Sequence, residues 1–180
     1  MTSKQWNEYA KPVVVLVVIC IVTSLLLALT NQLTAPVIEA NERRVAQAAY
    51  YEVMPAATNF VQVEGIDNAD VLDVQKDEGG AGIVMKVQGQ GFGGKVPCVV
   101  AFDMEGTIVG VKFLENSETK GYGSRLYEDT SFAAQFAGMP AENFTISDID
   151  ALSGATISSK AAVQALNTAI DAYNQLKEGM

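Results

Sequence analysis

Three glycine-bearing segments carry the residue types from which this chain could build a chemical site. Ser153-Gly154-Ala155-Thr156 stands directly before an amphipathic C-terminal run. On the residues alone, two uses of its hydroxyls stay open. Ser153 or Thr156 can cap the helix that follows by accepting from its first free amides. Those same amides, with the positive end of the helix dipole, also favour a bound phosphate. A second segment, Glu115-Asn116-Ser117-Glu118-Thr119-Lys120-Gly121-Tyr122-Gly123-Ser124-Arg125, follows a strand-like run and mixes carboxylates, hydroxyls and glycines. Such a loop lets backbone amides come close to a ligand, and it serves equally well as a polar connector. The third, Gly89-Gln90-Gly91-Phe92-Gly93-Gly94-Lys95, has the glycine density of a dinucleotide loop but leads into another strand. A dinucleotide fingerprint needs a strand–turn–helix context, so a hairpin connection is the expectation here.

What is missing narrows the chemistry. The chain has no histidine, and its two cysteines, Cys20 and Cys98, lie far apart. Haem attachment, cysteine-ligated iron–sulfur clusters, zinc catalysis and a Ser-His-Asp triad are excluded or starved of ligands. No metal site and no catalytic side chain are expected, and a redox role would need an organic group from outside. Charge excludes a further class. Lys4 and Lys11 outweigh Glu8 by one before Pro36, so of the net −9 the remainder carries −10. An acidic domain without a Lys/Arg run is no partner for nucleic acid.

The elements that must position these segments begin with an anchor. Val13 to Leu29 is an uncharged run of 17 residues, about 26 Å as a helix, and residues 30–33 extend it toward a bilayer core of about 30 Å. Pro12 suits a first helical turn, and Thr23 and Ser24 can bond back to carbonyls one turn earlier. A signal peptide has a shorter apolar region and a small-residue cleavage site, so an uncleaved span in the lipid bilayer is the expectation. Lys4 and Lys11 precede the span, while Arg43 and Arg44 follow it diluted by Glu39 and Glu42. By the positive-inside rule this places the domain outside the cytoplasm.

The organisation read from this is an N-terminal segment and anchor over 1–35, a connecting helix over 36–58 and a domain over 59–180. Val37 to Met54 reads as a helix stopped by Pro55, with no single apolar face among Val45, Ala48, Ala49 and Tyr51/Glu52. Strands are expected over 60–64, 71–75, 82–88, 96–102 and 107–114, the last two joined by a hairpin with Gly106 at positive φ. A short helix fits Phe132 to Ala137. A longer one fits Ser158 to Leu176, where Val163, Leu166, Ile170 and Tyr173 recur at helical spacing. The fold class is α+β: a transmembrane helix, then an antiparallel sheet with packed helices.

Asp150-Ala151-Leu152-Ser153-Gly154-Ala155-Thr156 matches the pattern D-x-x-(S/T)-G-A-T, and on it the chain resembles the FMN-binding domain family. The resemblance implies that a flavin transferase attaches FMN covalently to Thr156 through a phosphoester. Asp150, Ser153, Gly154 and Ala155 then form the recognition context. Gly91-Phe92-Gly93-Gly94 and Glu118-Thr119-Lys120-Gly121-Tyr122-Gly123 look like the family's G-[YF]-x-G and E-T-P-G-L-G segments, with Lys120 and Tyr122 in place of Pro and Leu. This implies cofactor contacts from Glu118, Thr119, Gly121 and Gly123, while Phe92 and Tyr122 either shield the ring or simply pack. In length and single span the chain is most similar to the G subunits of Rnf ion-translocating electron-transport complexes. The related C subunits of sodium-pumping NADH:quinone oxidoreductases are longer.

That similarity implies electron transfer between ferredoxin and NAD within a bacterial or archaeal cell membrane. The partners would be the other membrane and peripheral subunits of the complex. Rival readings are a stand-alone membrane-anchored FMN carrier, a C-type subunit, or a non-redox scaffold or binding domain in which Thr156 only caps a helix.

Overall fold

The structure, a computed structural model, describes residues 11–179. Packing divides the chain into two units, Met1–Val45 and Ala46–Met180. The first described element, α1, spans Lys11–Val53 with Pro36 inside it. Proline costs a helix one backbone hydrogen bond, and here it does not end the element, contrary to the expected fresh start at Val37. Within the apolar part the side chains from Val13 to Leu33 are exposed, and the helix is long and apolar enough to cross a membrane. Hydroxyls in this stretch are spent on the helix itself. Thr23 Oγ1 donates to the Ile19 carbonyl at 2.8 Å and Thr30 Oγ1 to that of Leu26 at 2.9 Å.

The second unit is built on a five-stranded antiparallel sheet, β1 (Phe60–Gln62), β2 (Val71–Asp77), β3 (Ile83–Gln90), β4 (Lys95–Phe102) and β5 (Ile108–Phe113). The strands pair in sequence order, β1-β2-β3-β4-β5. Period-two alternation sends successive side chains to opposite faces, and both faces are covered. Ile83, Met85 and Val87 of β3, with Val96, Cys98, Val100 and Phe102 of β4, join the larger core. They pack with Ala162, Ala165, Leu166, Ala169, Ile170 and Tyr173 of the C-terminal helix α4 (Thr156–Gly179). On the other face Val84, Val99 and Ala101 meet Ala46, Ala49, Tyr50 and Val53 from the end of α1. Those four positions follow the i, i+3, i+4, i+7 spacing of a single helical face, where the sequence reading named Ala49 but found no single face.

Small residues set how closely helix and sheet approach. A β-carbon on Gly89 would stand 2.0 Å from the Ala161 carbonyl oxygen, so β3 and α4 meet where neither carries bulk. At the β4–β5 turn, Asp103 Oδ1 accepts from the amides of Glu105, Gly106 and Thr107 at 2.8–3.0 Å. Gly106 there has φ +96°, as the hairpin reading expected. Between β5 and α4 lie two short helices, α2 (Arg125–Glu128) and α3 (Thr130–Ala134), and a 3-10 turn at Ile146–Asp148. The expected helix at 132–137 is thus shorter and begins earlier.

Candidate functional site

The start of α4 is where the hydroxyl question can be answered. Thr156 is the first helical residue, and the carbonyl of Ala155 accepts from the Ser159 amide at 2.9 Å, so Ala155 occupies the cap position. Neither Ser153 nor Thr156 caps the helix through its side chain. The turn is instead fixed from inside. Ser159 Oγ donates to the Ala155 carbonyl at 3.1 Å and accepts from the Leu152 amide at 3.0 Å, and both of these bonds are buried. Gly154 has φ +79°, a conformation that costs an L side chain energy. Among the described residues, the amides of Thr156, Ile157 and Ser158 have no protein acceptor. Free first-turn amides at the positive end of a 24-residue helix make a place for an anion.

A cleft of about 370 Å³ opens at this point. Gly154, Ala155, Thr156, Ile157 and Ser158 form one wall, Glu118, Thr119, Tyr122 and Gly123 another, and Phe92 closes the rim. The fold therefore brings all three glycine-bearing segments to one place. The β3–β4 hairpin supplies Phe92, the loop after β5 supplies the second wall, and the helix start supplies Thr156. Thr156 itself is exposed. Three exposed apolar side chains surround the opening: Phe92 at 74%, Tyr122 at 57% and Ile157 at 54%. An exposed apolar rim around a polar floor is what a flat aromatic ligand with a charged tail requires.

Glu118 holds the walls together. It is buried, its Oε1 accepts from the Gly93 amide at 2.7 Å, and its Oε2 accepts a short bond from Ser158 Oγ. Glycines leave the space for it. A β-carbon on Gly91 would lie 2.4 Å from Glu118 Oε1, and one on Gly123 would lie 2.5 Å from Ser158 Oγ and 2.6 Å from Glu118 Oε2.

Not every residue expected at the site lines the cleft. Gly121 lies outside it, and its φ of +79° turns the loop while its amide donates to buried Ser124 Oγ at 2.8 Å. Ser153 and Asp150 are exposed and do not line the cleft. The Asp150 backbone is held by Gln135, whose Oε1 accepts from the Asp150 amide at 2.8 Å. Ile157 and Ser158 do line the cleft, and sequence reasoning passed over both. The one signal for Ser158 was a polar residue on the inward face of an amphipathic helix.

Residues 91–171 match the FMN-binding domain and residues 1–53 match the RnfG N-terminal region. The chain is 32% identical to the G subunit of the ion-translocating oxidoreductase complex of Methanosarcina acetivorans, over 96% of this chain and 98% of the relative. The chain belongs to the G-subunit family of ion-translocating oxidoreductase complexes. A second member, the G subunit of the Na(+)-translocating ferredoxin:NAD(+) oxidoreductase complex of Acetobacterium woodii, is 27% identical over 96% of this chain and 95% of the relative. The fold is shared with the C subunit of the Na(+)-translocating NADH-quinone reductase of Parabacteroides distasonis. That structure has a TM-score of 0.52 and 20% identity, over 66% of this chain and 77% of the other.

Within this family the cleft can be tested against FMN from its own atoms. Three unpaired amides and an exposed threonine hydroxyl suit the phosphate. The rim of Phe92, Tyr122 and Ile157 suits the ring. The residues present fit the group.

Proposed function

We propose that this protein is the flavin-bearing electron-relay subunit of a membrane ion-translocating ferredoxin:NAD oxidoreductase complex, with FMN joined through its phosphate to Thr156 Oγ1. The observation that carries the reading is the single cleft in which the Thr156 hydroxyl, the free amides of α4 and the Glu118–Gly123 loop converge. When bound, FMN would supply the electron-carrying chemistry that no side chain of this protein offers. The chain's own part is positional. The amides of Thr156, Ile157 and Ser158 face the phosphate, and the helix dipole favours its charge. Thr119 and Gly123 form the opposite wall, and Phe92 and Tyr122 keep water from the ring. The protein is not catalytic alone, and it hands electrons to and from other members of the complex.

Asp150, Ser153, Gly154, Ala155 and Thr156 form the segment for the flavin transferase. The exposed side chains of Asp150 and Ser153, outside the cleft, suit reading by a second protein during maturation. Residues 1–35 anchor the chain in the bilayer, 36–58 connect, and 59–180 carry the flavin. The last turns of α1 pack onto the sheet. No acidic or basic residue lies between Lys11 and Glu39, so ions cross through other subunits. The balance of Lys4 and Lys11 against Arg43 and Arg44 supports an extracytoplasmic domain.

Intact mass after denaturation tests the covalent bond. The protein from a host containing the transferase gains the mass of FMN less one water, and Thr156→Ala loses that gain. An unmodified wild-type mass overturns the assignment. Proteolysis in sealed vesicles of known orientation tests the side, and digestion from the cytoplasmic face would reverse it.

A further inference from the structure

Glu118 is surrounded by more apparatus than a structural tie needs. Both carboxylate oxygens are engaged, one by the Gly93 amide at 2.7 Å and the other by the Ser158 hydroxyl. Gly91 and Gly123 leave out side chains whose β-carbons would strike it. The residue is 8% exposed and yet lines the cleft. A neutral or apolar residue of similar volume would join these segments without the cost of taking a charge out of water. Its donors come from two different elements, so the carboxylate cannot swing away from the cleft when the charge within changes.

We infer that Glu118 is a positioning residue of an electrostatic kind, a fixed negative charge that lowers the reduction potential of the flavin in this cleft. The inference rests on the reading of the cleft as the FMN site. Reduction adds two electrons and one proton to the oxidised isoalloxazine, leaving it one unit more negative. With a pinned carboxylate lining the same partly water-excluded cleft, that added charge is disfavoured more than it would be in bulk water. The ring therefore gives up electrons more readily than it would in a neutral site. The two donors temper the effect by drawing part of the carboxylate's charge toward Gly93 and Ser158.

The test is a mediated redox titration of the full-length protein in detergent, with dithionite as the source of electrons and flavin absorbance as the readout. Intact mass first establishes one flavin per chain. Glu118→Gln keeps the shape and an acceptor for the Gly93 amide but removes the charge, so its midpoint moves to a more positive potential. Ser158→Ala keeps the charge and strips one donor, so its midpoint moves to a more negative one. An unchanged or more negative midpoint in Glu118→Gln overturns the inference, as does an unchanged or more positive one in Ser158→Ala. If Glu118→Gln loads no flavin, Ser158→Ala decides alone. A wild-type chain without flavin is a different failure, since it removes the reading of the cleft and shows in the mass before any titration.

Discussion

Gly91, Gly93 and Gly123 each stand where a β-carbon would enter space already filled by Glu118, Ser117 or Ser158. The cost of filling that space depends on what must move. Gly123→Ala presses on two side-chain oxygens, and crowding of this kind costs about 1–3 kcal/mol. Gly93→Ala meets the Ser117 backbone oxygen at 2.2 Å, which cannot rotate aside, so its cost lies at or above that range. Gly121→Ala has open space around it but φ +79°, and costs about 1–2 kcal/mol in backbone strain alone. Urea unfolding should find Gly93→Ala the most destabilised, then Gly123→Ala, then Gly121→Ala. A ranking led by Gly121→Ala would contradict the packing described.

Asp77 gives a prediction in pH. Its carboxylate is buried and accepts from the amides of Ala81, Thr58 and Asn59 at 2.8–3.1 Å. These bonds, that of Ala81 first, hold its carboxyl well below the usual carboxylate range against the opposing effect of burial. A depressed folded value contributes stability that is full above the unfolded carboxylate value and is lost as pH falls toward the folded one. The melting temperature should therefore drop from about pH 4 downward. Asp77→Asn should start from a lower melting temperature at neutral pH and show a shallower acid limb in a calorimetric pH series. At this scale the glycines and Glu118 were legible because their clustering is a local signal. Ser158 was not, because which side chain on a helix meets a loop from elsewhere depends on the packed structure. Gly121 and Ser153 could not be told from cleft residues by spacing, since spacing does not say which side of a turn faces inward.

The central strands β3 and β4 are buried on both faces rather than in alternation, and the sequence still placed every strand within about two residues of its observed ends. The end of α1 was harder. Its buried face of Ala46, Ala49, Tyr50 and Val53 mixes small and aromatic residues, and an apolar run just upstream masks the contrast that a helical period needs. The helices at Arg125–Glu128 and Ile146–Asp148 span about one turn each, too short for any period. Helix–sheet distance makes the prediction at this scale. Gly89→Ala drives a methyl against the Ala161 carbonyl and must lift α4 from β3, costing about 3 kcal/mol. Because α4 carries Thr156, the same variant should also lower the fraction of chains that gain flavin, read by intact mass beside the melting curve.

For the whole molecule, the division after Val45 carries its own expectation. A fragment beginning at Ala46 keeps both faces of the sheet covered and should be a soluble, cooperatively melting protein by size exclusion and circular dichroism. One beginning at Phe60 uncovers Val84, Val99 and Ala101. Each exposed valine forfeits about 1.5–3 kcal/mol, so that fragment should aggregate or melt much lower. Strand order bears on how the molecule comes into being. Each strand pairs with the one made just before it, so the sheet can zip up by short closures as the chain emerges. The helix that seals its larger face, α4, is made after all five strands. Until it docks, an apolar surface stays open and Thr156 has no cleft to stand in. With FMN joined to Thr156 as proposed, loading must await the docking of α4, and a chain cut short before that helix would offer no attachment site.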